Sequence, residues 1–196
     1  MAKTRPILRL HQEDLCQAFG LPPTAKYQNE GGPTPEAIAA LLREHSSRPR
    51  EDVATFVGAL AFNWLIAGTD GHAKNYSLLH GRGGRVRLAP LYDLASALPY
   101  EQMPLQRLRL AMKVGGTYRL RDIGGYRWRR LAAGCRLDAD ATLAQLAELA
   151  SRVVQSAGVI RDRCLASGLS HPVLDRLAAA VTDRAARCLQ VIRGGG

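Results

Sequence analysis

Apolar residues recur at helical spacing over most of the chain and alternate in two short stretches. Thr34-Pro35-Glu36 has the form of a helix start: a hydroxyl cap, proline at the first position and an acid next. It predicts a helix over Pro35–Glu44, with Ile38, Leu41 and Leu42 on one face. Ser46–Arg50 reads as a linker. From Glu51 to Ala67 the apolar stripe broadens to Val53, Phe56, Val57, Leu60, Ala61, Trp64 and Leu65, so this helix belongs at the centre of the core, and Gly68 reads as its stop. Ile123–Ala133 reads as a helix with Tyr126, Trp128 and Leu131 as its apolar contacts. The last third predicts helices over Asp138–Ala157, stopped by Gly158, then Val159–Ala166, then Pro172–Ile192 with His171 beside its cap. Near the start, Ile7–Leu10 reads as a short strand and Glu13–Phe19 as a single helical run, stopped by Gly20 and Pro22-Pro23. Two hairpins complete the pattern. One pairs Tyr76–Leu79 with Val86–Leu91 across Gly81–Gly84, and the other pairs Leu105–Met112 with Tyr118–Leu120 across Gly115-Gly116. The expected class is mainly α with small β-hairpins, that is, α+β.

The first hairpin carries the candidate chemistry. It follows the loop Asp70-Gly-His72-Ala-Lys74-Asn75, in which a carboxylate precedes a side-chain amide by five residues, and its second run leads to Asp93. Folding the hairpin back brings Asp93 near Asn75 and Asp70, and two carboxylates with an amide make a hard oxygen site suited to Mg²⁺. The same order occurs in phosphoryl transfer. There a loop aspartate accepts the proton of the acceptor hydroxyl, an asparagine five residues on holds Mg²⁺, and an aspartate just past a hairpin holds Mg²⁺ against the phosphates. In this chain those residues are Asp70, Asn75 and Asp93. Taken alone, Asp70 and Asn75 also read as turn caps. His72 divides evenly between a loop histidine bonded to a neighbour and a contact to the γ-phosphate, and Lys74 is the nearer cation. Tyr92 reads as packing. Gly81–Gly84 reads as a hairpin turn, because it lacks the Gly-Lys-Ser/Thr ending of a phosphate loop.

Thr69-Asp-Gly-His-Ala-Lys-Asn75 together with Leu88-Ala-Pro-Leu-Tyr-Asp-Leu94 resembles the C-terminal lobe of HipA-family serine/threonine kinases, the toxins of bacterial type II toxin–antitoxin pairs. Arg9-Leu-His-Gln-Glu-Asp14, Lys26-Tyr27, Gly31-Gly-Pro33 and Leu110-Ala-Met-Lys-Val-Gly-Gly116 look similar too, so the resemblance covers roughly residues 7–190. It implies a kinase-like helical lobe over 34–193, an entry segment over 1–33 leading from a nucleotide lobe, and a tail over 194–196. It also implies ATP and Mg²⁺ as cofactors, Asp70, His72 and Lys74 as catalytic residues, and Asn75 and Asp93 as cofactor and metal ligands. The implied partners are a protein substrate, with a translation factor as the family precedent, and a DNA-binding antitoxin. The glycine-rich cradle and the strand lysine paired with a helix glutamate, which kinases use to hold ATP, are not found here. The expectation is therefore a catalytic lobe that is truncated and weak or inactive alone. The alternative is a non-catalytic docking module that binds an antitoxin or DNA, and a weaker third reading is a metal-dependent phosphohydrolase.

Composition and charge add three points. The 196 residues carry a net charge of +10, which favours polyanionic partners. The excess is concentrated in 101–136, where nine basic side chains face Glu101 and Asp122; Arg127, Arg129 and Arg130 are the candidate contacts to DNA or a protein partner. No apolar run reaches the roughly 18–20 residues needed to cross a bilayer. The Met-Ala-Lys-Thr-Arg-Pro start lacks an apolar h-region, and the four cysteines are scattered without a CxxC pair, so the expected location is the reducing cytoplasm.

Overall fold

The computed structural model describes residues 9–194. The chain runs β1 (His11–Asp14), α1 (Leu15–Ala18), α2 (Pro35–His45), α3 (Pro49–Ile66), β2 (Ser77–His80), β3 (Val86–Leu88), β4 (Arg109–Val114), β5 (Thr117–Arg119), α4 (Gly125–Gly134), α5 (Ala139–Ala166) and α6 (Pro172–Arg193). The α+β expectation therefore holds. β1, β2 and β3 form one antiparallel sheet in that order, and β4 and β5 form a second.

The core is built around α3. Val53, Phe56, Val57, Leu60, Ala61, Trp64 and Leu65 are all buried, as the broad apolar stripe requires. Trp64 packs edge-on against Trp128 of α4 at 5.6 Å, and its indole N–H donates to the Leu120 carbonyl at 3.3 Å. At the C-terminal end of α3 the buried Arg184 of α6 donates twice to the Trp64 carbonyl, at 2.8 and 2.9 Å, so a cation satisfies a carbonyl left open at the negative end of the helix.

Several boundaries differ from expectation, each for a local reason. Residues 7 and 8 lie outside the described residues, and the strand falls at His11–Asp14, paired with β2 from His11↔His80 to Asp14↔Ser77. α1 begins only at Leu15 because Asp14 is its cap. The Asp14 carboxylate accepts from the Gln17 N–H at 3.0 Å, while the Gln17 side chain accepts from the Asp14 N–H at 2.9 Å. Gly68 is not the left-handed residue that ends α3. Ala67 takes that conformation (φ 52°), and Gly68 serves a different purpose described below. Tyr126 is 62% exposed rather than packed, whereas Trp128 and Leu131 are buried as expected. Gly158 does not stop a helix, and α5 runs on through it to Ala166. A mid-helix glycine costs only about 1 kcal/mol, and α6 packs along α5. His171 is itself the cap of α6, its Nδ1 accepting from the Val173 N–H at 3.1 Å.

The hairpin that leads to Asp93 is fastened to the start of α3 by Asp52. This buried carboxylate accepts from the Arg87 guanidinium at 2.8–3.1 Å, from Ser46 Oγ at 2.6 Å and from the Leu88 N–H at 2.9 Å. Burial alone would raise its pKa, but the hydrogen bonds from Arg87, Ser46 and Leu88 outweigh it and hold the carboxyl below the ordinary range. A depressed carboxyl contributes stability above its unfolded pKa and loses it as the pH falls through the folded value, here below about 4. Asp52→Asn is expected to lower the unfolding free energy in urea by about 3 kcal/mol at pH 7. The difference from wild type should shrink on acidification below pH 4. An equal difference at pH 7 and pH 3 would show that the carboxylate charge is not what fastens the hairpin.

Candidate active site

The site is assembled where α3 ends. Asn63, on the last turn of α3 and nearly fully buried, stands beneath the loop, and both loop glycines close over it. A Cβ at Gly68 would lie 2.3 Å from Asn63 Oδ1, and one at Gly71 would lie 2.6 Å from Asn63 Nδ2. Only glycine permits that approach. Asn63 in turn donates to the Tyr76 hydroxyl at 3.3 Å, joining the helix to the residue that opens β2. Above this support Asp70-Gly-His72 turns tightly, the His72 N–H donating to the Asp70 carbonyl at 2.8 Å, and a single 3₁₀ turn over Ala73–Asn75 follows.

Asn75 is buried, and its side-chain amide is held by two acceptors, the Asp70 carbonyl at 3.1 Å and Asp93 Oδ2 at 2.7 Å. The three residues picked from the sequence therefore meet: Asp70 through its backbone, and Asn75 and Asp93 side chain to side chain. Asp93 takes a left-handed backbone conformation (φ 55°), which aspartate tolerates better than most residues. Strain of that kind persists only where surrounding contacts impose it. Here Tyr92 imposes it from one side, its hydroxyl donating to the Lys74 carbonyl at 2.7 Å and lying 2.6 Å from Ser77 Oγ. On the other side Ser96 donates to the Ile66 carbonyl at 2.6 Å, and the Ala97 N–H donates to the Ala67 carbonyl at 3.1 Å.

The donor chemistry fits Mg²⁺ completed by substrate phosphates. That ion is commonly held by one or two carboxylates, with phosphates and water supplying the rest of the octahedron. The Asp93 carboxylate and the Asn75 carboxamide oxygen are ligands of that kind. No group of three or more His, Cys, Asp or Glu able to hold a metal is found among the described residues. The arrangement suits an ion shared with a phosphate chain rather than a closed protein cage.

The two candidate cations sit in the same loop, each in its own surroundings. Lys74 is committed to Asp14, with Nζ 2.7 Å from Oδ2, which ties the catalytic loop to the cap of α1. Hydrogen bonding to Asp14 raises the pKa of Lys74. His72 is buried beneath the loop, with Nε2 3.9 Å from Asp70 Oδ1 and Nδ1 without a hydrogen-bond partner. Burial pushes its pKa below the usual value, with Asp70 opposing, which favours the neutral imidazole.

Two functional-site residues were not singled out from the sequence as parts of the site. Asn63 sits in the middle of an apolar run, and only its polarity there marks it. Tyr27, more than forty residues upstream, donates its hydroxyl to Asp70 Oδ1 at 2.5 Å. Its ring meets His72 edge-on at 5.0 Å. Of the candidate partner-binding arginines, Arg127 donates to the Gly115 carbonyl at 2.9 Å and Arg129 pairs with Asp140 at 2.7 Å. Arg130 is exposed and makes no ion pair among the described residues.

Comparison with known proteins decides the family. A family model described as the HipA-like C-terminal domain matches residues 3–157. The chain belongs to the HipA-like C-terminal domain family. It is 40% identical over 124 residues to Y4mE of Sinorhizobium fredii, a protein named as a kinase; the match covers 63% of this chain and 29% of that one. It is 29% identical over 161 residues to the serine/threonine-protein kinase toxin HipA of Shewanella oneidensis, covering 76% of this chain and 36% of that one. The match thus spans about a third of the length of these relatives. The fold is that of the HipA chain in a solved Shewanella oneidensis complex of HipA, HipB and operator DNA, with a TM-score of 0.82 and 22% identity. That match covers 100% of this chain and 47% of that one. No helix among the described residues is long and apolar enough to cross a membrane.

The Tyr27–Asp70 contact has a spectroscopic signature. The hydrogen bond to Asp70, with burial and the adjacent negative charge, pushes the Tyr27 phenol up to about 12. In a titration followed by phenolate absorbance, Asp70→Asn should move one tyrosine down toward the ordinary value near 10. An unchanged titration would place the phenol away from the carboxylate.

Proposed function

We propose that this chain is the catalytic lobe of a HipA-like serine/threonine protein kinase, transferring the γ-phosphoryl group of ATP to a protein hydroxyl. The observation that carries the reading is the meeting of Asp70, Asn75 and Asp93 on one rigid support at the end of α3. Family membership and the kinase names of the relatives are the second support.

In this reading Asp70 is the general base. Its side chain is largely exposed, so an acceptor hydroxyl can reach it. Asp93 and Asn75 would hold Mg²⁺, and the ion would supply positive charge against the negative charge that develops on the transferred phosphate. The hydrogen bond between Asn75 and Asp93 fixes the two ligands relative to each other before nucleotide arrives, so little reorganisation remains at the moment of reaction. Lys74 acts on the site through its ion pair with Asp14, which holds the loop, and His72 acts as its neutral, buried footing. The remaining contacts to ATP are assigned to polypeptide outside the part of the relatives that this chain matches. The acceptor is a protein, the partner is an antitoxin-type DNA-binding protein, and the site of action is the cytoplasm.

The test is γ-phosphoryl transfer to protein hydroxyls with Mg·ATP. Asp70→Asn should reduce the rate by about 10²–10⁴-fold, the usual contribution of a positioned base, without changing the melting temperature by more than a degree or two. Full activity in Asp70→Asn would contradict the assignment of the base.

A second reading has its own observation. Arg129 and Arg130 are exposed on α4 within the segment of densest positive charge, and a structural relative was solved with an antitoxin-bound operator. If this face meets DNA phosphates, log affinity falls linearly with log salt, and reversing Arg127, Arg129 and Arg130 should flatten that slope. A slope unchanged by the reversal would rule out this face. A chain that binds DNA this way yet never transfers phosphate would favour docking over catalysis.

A further inference from the structure

Asp70 lies on an exposed loop, and among the described residues its carboxylate accepts a hydrogen bond from one group only, the Tyr27 hydroxyl. The two oxygens are 2.5 Å apart. Tyr27 is itself held firmly. Its carbonyl accepts from the Glu30 and Gly32 N–H groups, both at 2.9 Å. A Cβ at Gly32 would lie 2.8 Å from the carbonyl oxygens of Ala25 and Tyr27, so the turn cannot be wound this tightly with any other residue there. On one side the Lys26 carbonyl accepts from the Ala73 N–H at 3.1 Å, inside the catalytic loop. On the other, Gln28 accepts from the Lys113 N–H of β4 at 2.7 Å. The ring stands edge-on against buried His72. The phenol is thus fixed by three separate elements, and the carboxylate it bonds is fixed by little else.

We propose that Tyr27 is a positioning residue for the base, occupying Asp70 Oδ1 and thereby presenting Oδ2 to the acceptor hydroxyl. This rests on the kinase reading above and deepens it. As the acceptor oxygen forms its bond to the γ-phosphorus, its proton passes to Asp70 Oδ2. The bond from that phosphorus to the β–γ bridging oxygen breaks, and ADP leaves with the electron pair. Tyr27 keeps its proton throughout, because Asp70 holds the phenol up to about 12; it donates at every working pH and never competes as a base. A hydrogen bond to an ionised group biases a free side chain toward one orientation by roughly ten- to a hundredfold. That is the size of the effect expected when it is lost.

The experiment compares wild type with Tyr27→Phe, which keeps the ring on His72 and removes only the hydroxyl. Two readouts are taken: phosphoryl transfer as a function of ATP, and crystal structures of both proteins. Expected are a fall in kcat of roughly tenfold or more, a KM for ATP within about twofold, and an Asp70 carboxylate that leaves its wild-type orientation. A merely structural role for Tyr27 would not split kcat from KM. Unchanged kcat overturns the proposal. So does a faster Tyr27→Phe enzyme, which would mean that the hydroxyl blocks the acceptor and must withdraw. If the wild-type chain transfers no phosphate, the kinase reading fails, and the crystal structures decide on Tyr27 by themselves. An Asp70 carboxylate that turns away in Tyr27→Phe supports the hold of Tyr27 on it, and one that stays in place overturns it.

Discussion

The close approach of Gly68 and Gly71 to Asn63 is the constraint on which the rest of the site depends. α3 is rigid because it is buried along nearly its whole length, and it delivers Asn63 to the end of the core in a fixed orientation. The loop can lie on that amide only because two of its residues have no side chain. Lying there, it sends Asp70 outward, Asn75 inward and Tyr76 back to Asn63, and β2 follows in register with β1 and β3. A side chain at either glycine would meet the Asn63 amide, so the amide or the loop would have to shift.

The second half of the site comes from the far side of the hairpin, and hydrogen bonds, one set of them charged, fix it there. Asp52, at the start of α3, fastens β3; Tyr92 and Ser96, on either side of Asp93, fasten the strand exit to the loop and to the end of α3. The two attachments, at Asp52 and Ile66, lie about 21 Å apart along α3. One helix therefore sets both the position of the catalytic loop and the distance over which the hairpin must return. The left-handed backbone of Asp93 is the local cost of completing that return at the right point.

Much of this was legible in the sequence because it depends on short-range pattern. The cap at Thr34-Pro35, the apolar stripe of α3, the two glycine turns and the spacing from Asp70 to Asn75 are all local signals, and the structure follows each of them closely. The misreadings concern competition between local and tertiary forces. Gly158 looks like a stop until α6 packs along α5, and Glu13-Asp14 looks like the start of a helix until β2 offers it a partner. The partner of Lys74 was equally hidden, because Asp14 stands sixty residues away in the sequence. Tyr27 and Asn63 escaped for the same reason: each gains its place at the site from a residue that only the fold brings near. Membership of the HipA-like C-terminal domain family was legible in the wording of the catalytic loop and hairpin, and the match over residues 3–157 agrees with it.

The central claim is that Asn75 and Asp93 together hold the divalent ion that neutralises ATP. The most direct test is the NMR signal of the Asn75 side-chain amide during titration with Mn²⁺ and ATP, since Mn²⁺ takes the same oxygen ligands as Mg²⁺ and broadens only nearby nuclei. The account predicts that this amide is among the first to broaden, that excess Mg²⁺ restores it, and that Asp93→Asn removes the effect while the fold persists. An Asn75 amide that stays sharp, in a folded protein at saturating Mn²⁺ and ATP, would contradict it.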